Sequence, residues 1–387
     1  MGSSNQHLGP DCEHAPSRPA RTASDQGGAR PEGGKLPAIQ ALRAVAALSV
    51  AVVHLFSGFA VHIDRRLDGL PQGDQLAQAA VALFFVISGC VMVLSSGRLF
   101  SSAGATVHFW RRRAVRVLPP YWIATGVMAA VMLALGLAVD TGYLARSLAF
   151  VPTPRAGGRS FQLFLWPGWT LLYELIFYAL FGAFVGFGRT RAVILTALAI
   201  GALVVAGALA NPSGLPGFIV TRPILLLFIV GMVAGLALQR GLASPAWVRA
   251  LAMVAALAAF ALPQPADSQL GVGYLGWAGL PAILTFVTVM GGPLRIPFIA
   301  LWEALGDASY AIYLIHVPFA LVWMRIFHHG LDHPGGSLGY MASGVPLLIA
   351  LSLAFYRWIE RPMTMRLNVL LGGQSSRKSG PIGDLAP

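Results

Sequence analysis

The sequence predicts an all-α, polytopic membrane protein of about ten transmembrane helices. Three observations carry that expectation. Of 387 residues, 56% are hydrophobic and only 11% charged, against roughly a quarter charged in soluble domains. Mean hydropathy is +0.69. The apolar residues fall in runs of about 17–25, the length at which a helix crosses a bilayer, separated by short polar breaks. The net charge of +12 sits in those breaks, so it reads as a topology signal and argues against nucleic acid as a partner.

Taken in order, residues 1–35 are rich in Gly, Ser, Pro, Arg and Asp with no apolar run, and read as a disordered cytoplasmic tail. They do not read as a signal peptide, because the first apolar run, from Leu36, is of full membrane length. Gln6 stands where N-myristoylation wants Ser or Thr. A membrane domain follows over 36–365, with spans at about 38–58, 78–97, 118–139, 168–187, 191–210, 217–238, 246–262, 273–291, 306–327 and 339–359. Residues 366–387 are polar again and read as a C-terminal cytoplasmic tail. Arginine placement sets orientation: with the N-terminus inside, Arg98, Arg111–Arg113, Arg116, Arg189, Arg191, Arg240, Arg249, Arg295, Arg357, Arg361 and Arg366 fall on the inner side. Fewer fall outside (Arg65, Arg66, Arg146, Arg155 and Arg159), and an even number of spans puts both termini in the cytoplasm. The loop at 140–167 is the longest on the outer side and a candidate for a re-entrant piece. Gly182-x-x-x-Gly186, Gly231-x-x-x-Gly235 and the pair Ser88-Gly89 fit close helix packing.

Ionisable residues inside apolar helices are costly and point to function. Arg43 and His54 share the first span. Their separation of eleven residues is ~20° past three turns and ~16 Å along the axis, so both lie on one face. Arg43 has a plain reading, a side chain snorkelling to the inner interface. His54 lies too deep for that, and histidine is the commonest general base near neutrality.

Three further groups stand out. Phe109-Trp-Arg-Arg-Arg-Ala-Val-Arg116 places Arg112, Arg113 and Arg116 on one helical face. Two readings stay open for it: a topology stop that binds anionic membrane lipid, and a clamp for a phosphate-rich donor such as coenzyme A. In Trp169-Thr-Leu-Leu-Tyr-Glu174-Leu-Ile-Phe-Tyr178, the residues Thr170, Glu174 and Tyr178 recur every four positions, and Glu174 suits a polar cavity or an ion pair. In Asp307-Ala-Ser309-Tyr310-Ala-Ile-Tyr313-Leu-Ile-His316, the residues Ser309, Tyr313 and His316 share a face. Asp307 suits a helix cap there, and His316 suits either a core position or the site. Glu360, at the end of the last span, is expected to pair with a nearby arginine. Cys12 and Cys90 offer no disulfide framework, and Cys90 reads as a small core residue. No metal site is expected: the histidines form no ligand set within the spans, and His328, His329 and His333 lack a fourth ligand of clear spacing.

In this order the motifs resemble the acyltransferase 3 family of integral membrane O-acyltransferases, over roughly residues 36–365. The pieces are Ile39-Gln-Ala-Leu-Arg-Ala-Val-Ala-Ala with a downstream His, Phe84-Phe-Val-Ile-Ser-Gly, Phe109-Trp-Arg-Arg-Arg-Ala-Val-Arg-Val-Leu-Pro, Trp169-Thr-Leu-Leu-Tyr-Glu, and Ala308-Ser-Tyr-Ala-Ile-Tyr-Leu-Ile-His-Val-Pro. Gln40-Ala-Leu-Arg43, where many members read Asp-Gly-Leu-Arg, is more similar to the exopolysaccharide acetyltransferase branch. The resemblance implies a bacterial inner-membrane enzyme that moves acetyl or another short acyl group from acyl-CoA to a hydroxyl. The implied acceptor is a polysaccharide or its lipid-linked precursor. Alternatives are a small secondary metabolite such as a macrolide as acceptor, or a proton-coupled transporter using the same charges. Acetyl-CoA would be a donor substrate, with no permanently bound cofactor. By motif, His54 matches the catalytic histidine and Arg43 its companion. Arg113 and Arg116, with Arg112 beside them, match the donor-binding arginines. Trp169, Glu174, Tyr310, Tyr313 and His316 match positions lining the site.

Overall fold

The computed structural model describes residues 1–2, 36–62, 71–154, 161–265, 270–327 and 336–371. Cys12, the outer arginines Arg65, Arg66, Arg155 and Arg159, the histidines His328, His329 and His333, and most of both expected tails lie outside these residues. Within them the protein is a multi-pass bundle of α-helices, with nine helices long and apolar enough to cross a membrane.

Helix α1 spans Pro37–His62, α2 Pro71–Ser95 and α3 Ala105–Ala134. α3 begins well before the expected 118, because the arginine-rich stretch has no helix breaker and winds into the same helix as the apolar span. Pro119 and Pro120 lie inside it. They remove the helical bonds to the carbonyls of Val115 and Arg116, yet neighbouring helices hold the turn. The long loop that follows carries α4 (Thr141–Leu148) and a two-stranded hairpin, β1 (Thr153–Pro154) against β2 (Phe161–Gln162). The strands are antiparallel, with Thr153 opposite Gln162. The loop then turns into the bundle. Leu163 and Leu165 are fully buried, and a 3₁₀ turn over Trp166–Gly168 leads into α5 (Trp169–Phe184). Ser147 pins this fold-back: its hydroxyl lies 2.8 Å from Tyr121 Oη and accepts from the Phe164 amide at 2.9 Å.

α6 is Arg189–Ala210, α7 Leu215–Val220, α8 Leu226–Gln239 and α9 Ala246–Ala259. α9 has 14 residues, about 21 Å of helix, so it falls short of the ~30 Å hydrocarbon layer and is not the tenth full span that was expected. α10 (Val272–Tyr274) runs through a π-turn, Leu275–Gly279, into α11 (Leu280–Met290). The expected span at 306–327 is divided at Ala308 into α12 (Ile299–Asp307) and α13 (Ser309–Phe327). α14 (Gly336–Phe355) continues through a π-turn at Tyr356–Glu360 into α15 (Arg361–Leu370).

α2 is the axis of the bundle, packed against α1, α8 and α11. Its contact with α8 is backbone to backbone. A Cβ on Gly89 would sit 2.2 Å from the Phe228 carbonyl oxygen, and one on Gly231 would sit 2.0 Å from that of Val86. Gly235 meets the Cys90 carbonyl the same way, at 3.0 Å. The second glycine pair therefore does what its spacing predicts. In the first pair only Gly182 is packed, under Trp110, while Gly186 faces open space. Cys90 is fully buried beside these glycines.

Candidate active site

The two ends of α1 serve two halves of one site. Near its start, Gln40 Nε2 donates to Asp307 Oδ1 at 2.8 Å, and Arg43 Nη2 donates to Ser309 Oγ at 2.9 Å. Gly306 lets α12 lie against the Gln40 backbone, since a Cβ there would be 2.3 Å from the Gln40 carbonyl. Asp307 ends α12 and ties it to α1.

From Arg43 a cavity opens between α1, α2, α3, α5 and α13, of about 840 Å³ counting the space at its mouth. Its polar lining gathers Arg43, Arg113 and Arg116 with Glu174, Tyr178 and Ser309. Tyr310 and Tyr313 also line it, as do Thr170 and Ser88. The four-residue spacing in α5 thus brings Thr170, Glu174 and Tyr178 to one cavity wall. Glu174 accepts hydrogen bonds from the Tyr178 hydroxyl and, at 3.3 Å, from Ser88 Oγ. Arg113 donates to Ser95 Oγ at 3.0 Å and lies over the rings of Phe109 and Tyr178. Tyr310 donates to the Val117 carbonyl at 2.9 Å, which locks α13 to α3 behind the arginines. Glu360 is buried within electrostatic reach of Arg43 and Arg116. Its Oε2 accepts no hydrogen bond, and its charge faces two arginines where the sequence led to the expectation of one as its partner.

Four residues picked from sequence stand outside this cavity. Arg112 is exposed and does not line the cavity. Trp169 packs edge-on to Tyr173, with ring centroids 6.1 Å apart. His54 and His316 lie beyond the cavity's inner wall, formed by Tyr313, Thr170 and Phe84. Tyr313 has the cavity on one side and the His316 ring, 5.9 Å away, on the other. Its hydroxyl lies 2.9 Å from Thr170 Oγ1 and donates to the Pro167 carbonyl at 3.1 Å, which closes that wall.

Behind the wall, His54 Nδ1 lies 2.9 Å from His316 Nε2, and the two rings are stacked. His316 is fully buried, and its Nδ1 lies 3.3 Å from the Ile312 carbonyl. A carbonyl can only accept, so the His316 proton is assigned to Nδ1. His316 Nε2 then accepts from His54 Nδ1–H, and the lone pair of His54 falls on Nε2. That is the arrangement a general base needs. Trp166 completes the group, its ring centroid 4.4 Å from that of His54. Trp166 was missed in the sequence reading. The apolar run Leu163-Phe-Leu-Trp166 inside a nominal loop was the signal that could have found it. Among the described residues no group of three or more His, Cys, Asp or Glu is placed to hold a metal ion.

Residues 36–357 match the acyltransferase 3 family, described as an acyltransferase domain. The exopolysaccharide production protein ExoZ of Rhizobium meliloti (strain 1021) is 32% identical over 312 residues, covering 75% of this chain and 90% of the relative. No solved structure matches. With a family match that runs through every element carrying the arginine cavity and the histidine pair, the chain belongs to the acyltransferase 3 family of integral membrane acyltransferases.

Proposed function

We propose that this acyltransferase moves an acetyl or other short acyl group from acyl-CoA to a hydroxyl of an exopolysaccharide or its lipid-linked precursor. The observation that carries the reading is the pairing of a three-arginine cavity with a histidine whose Nε2 holds a lone pair. Coenzyme A is anionic through its phosphates, and guanidinium forks match phosphate oxygens. Arg43, Arg113 and Arg116 hold that end at the inner side of the membrane. The narrow pantetheine arm runs along the cavity to Tyr313, and displacement of that side chain from Thr170 and the Pro167 carbonyl brings the thioester to His54. The name of the exopolysaccharide relative supports a glycan acceptor.

In the transfer, His54 Nε2 takes the proton of the acceptor hydroxyl as its oxygen attacks the thioester carbonyl. The tetrahedral intermediate collapses, the carbon–sulfur bond breaks, and the ester is left on the acceptor. The thiolate leaves with the proton that His54 returns, so His54 ends as it began. While His54 is positively charged, its Nδ1–H donates to His316. Arg43, ~16 Å along α1 from His54, acts on the donor and not on the reacting carbonyl.

The test is transfer of label from radiolabelled acetyl-CoA to membrane glycan by wild type and His54→Ala at matched protein levels. The expected result is labelled glycan with wild type and none with H54A. Equal label in both removes His54 from catalysis, and wild-type binding of acetyl-CoA without transfer removes the glycan acceptor.

A further inference from the structure

Trp166 has an unusual setting. It is 38% exposed, while its flanking residues Leu163, Phe164, Leu165, Pro167 and Gly168 are all buried. The turn that carries it is rigid. The Gly168 amide donates to the Leu165 carbonyl at 2.8 Å, and the Pro167 carbonyl accepts from Thr170 at 3.1 Å and from Tyr313. A large indole is thus held half out of the protein on a fixed backbone, in contact with His54. The exposed tryptophans Trp110, Trp122, Trp247 and Trp358 show no such ring contact with either histidine. A tryptophan serving only as a membrane-interface anchor needs no such neighbour.

The position matters because His54 is not in the arginine cavity. The wall of Tyr313, Thr170 and Phe84 separates them, so a second substrate can meet His54 without passing the donor. On the basis of the acyltransferase reading above, we infer that Trp166 is the platform of an acceptor subsite for a sugar ring. A pyranose has an apolar C–H face and a rim of hydroxyls. Laid on the exposed indole, that face is shielded from water and one rim hydroxyl is directed at His54 Nε2. The rigid turn means the platform exists before the sugar arrives, which reduces the ordering cost of binding.

The test uses the full-length protein in native membranes, radiolabelled acetyl-CoA, and alkali-deacylated glycan from the producing cells titrated in hexose equivalents. Trp166→Leu fills the space without an aromatic face, and Trp166→Phe keeps one. The expected result is a half-saturating glycan concentration raised roughly three- to ten-fold in W166L, the scale of one aromatic contact, with W166F near wild type. Acetyl-CoA binding, which reports the cavity and the fold, is expected unchanged in both. An unchanged glycan half-saturation in a transferring W166L overturns the subsite alone, as does an equal rise in W166F. Absence of transfer by the wild type overturns the glycan reading and this inference with it.

Discussion

Replacing His316 with phenylalanine isolates one hydrogen bond. The ring keeps its shape in the packed space beneath Tyr313, and the Ile312 carbonyl keeps its ordinary helical partner, so the group left without its partner is His54 Nδ1–H. What is lost is the acceptor 2.9 Å from His54 Nδ1. In the ground state that acceptor fixes the tautomer. In the proton-transfer step it bonds a charged donor, and such bonds are worth about 1.5–3 kcal/mol. At 1.36 kcal/mol per decade, kcat should fall roughly ten- to 150-fold. The KM for acetyl-CoA should not move, because His316 does not line the arginine cavity. His316→Gln offers a carbonyl oxygen to the same proton and should recover much of the loss. The assay is steady-state acetyl transfer over an acetyl-CoA titration, with wild type, H316F and H316Q at matched levels. A kcat for H316F within two-fold of wild type refutes the argument. So does an equal loss in H316Q, or a KM for acetyl-CoA that rises in step.

The arginine cavity and the helix packing give further predictions. Arg116→Ala should raise the KM for acetyl-CoA by roughly ten-fold or more, the scale of a charged hydrogen bond, with Arg116→Lys in between. Acetyl-pantetheine, which lacks the phosphates, should be used equally by R116A and wild type. A matching loss with that donor would show that Arg116 is not a phosphate ligand. Gly231→Ala places a Cβ 2.0 Å from the Val86 oxygen, against an ordinary contact beginning at 3.4 Å, so α2 and α8 must part by about 1.4 Å. Overpacking of that kind costs about 1–3 kcal/mol and should lower the melting temperature in detergent. Gly201→Ala, in open space on α6, should leave it unchanged or slightly raised.

What the sequence made legible was what lies within a single helix. Periodicity fixes which residues share a face, so the Thr170, Glu174 and Tyr178 row and the Ser309, Tyr313 and His316 row could be read before any packing was known. Each member of the second row proves to have a partner on another helix: Arg43, Thr170 and His54. Those pairings were not legible, because they depend on how helices more than 140 residues apart come together. The same limit explains Trp166, reached only because Ser147 and Tyr121 draw a loop inward. It also explains Glu360, brought to the arginine cluster by the last helices. Hydropathy marked the apolar stretches well but not where helices begin. α3 starts at Ala105, ahead of its arginines, and α9 stops short, since winding depends on backbone bonding and not on how oily the side chains are.

The wall formed by Tyr313, Thr170 and the Pro167 carbonyl has a consequence for the cell as well as for the reaction. A polar cavity that reaches deep into a membrane bundle is a hole unless something stops it. Lined by three arginines at one end and two histidines at the other, such a hole would pass anions and protons and discharge the membrane. A hydrogen-bonded plug of one aromatic ring and one hydroxyl keeps the insulating layer continuous between turnovers. It lets one bundle hold an arginine-lined cavity and a histidine pair without becoming a channel.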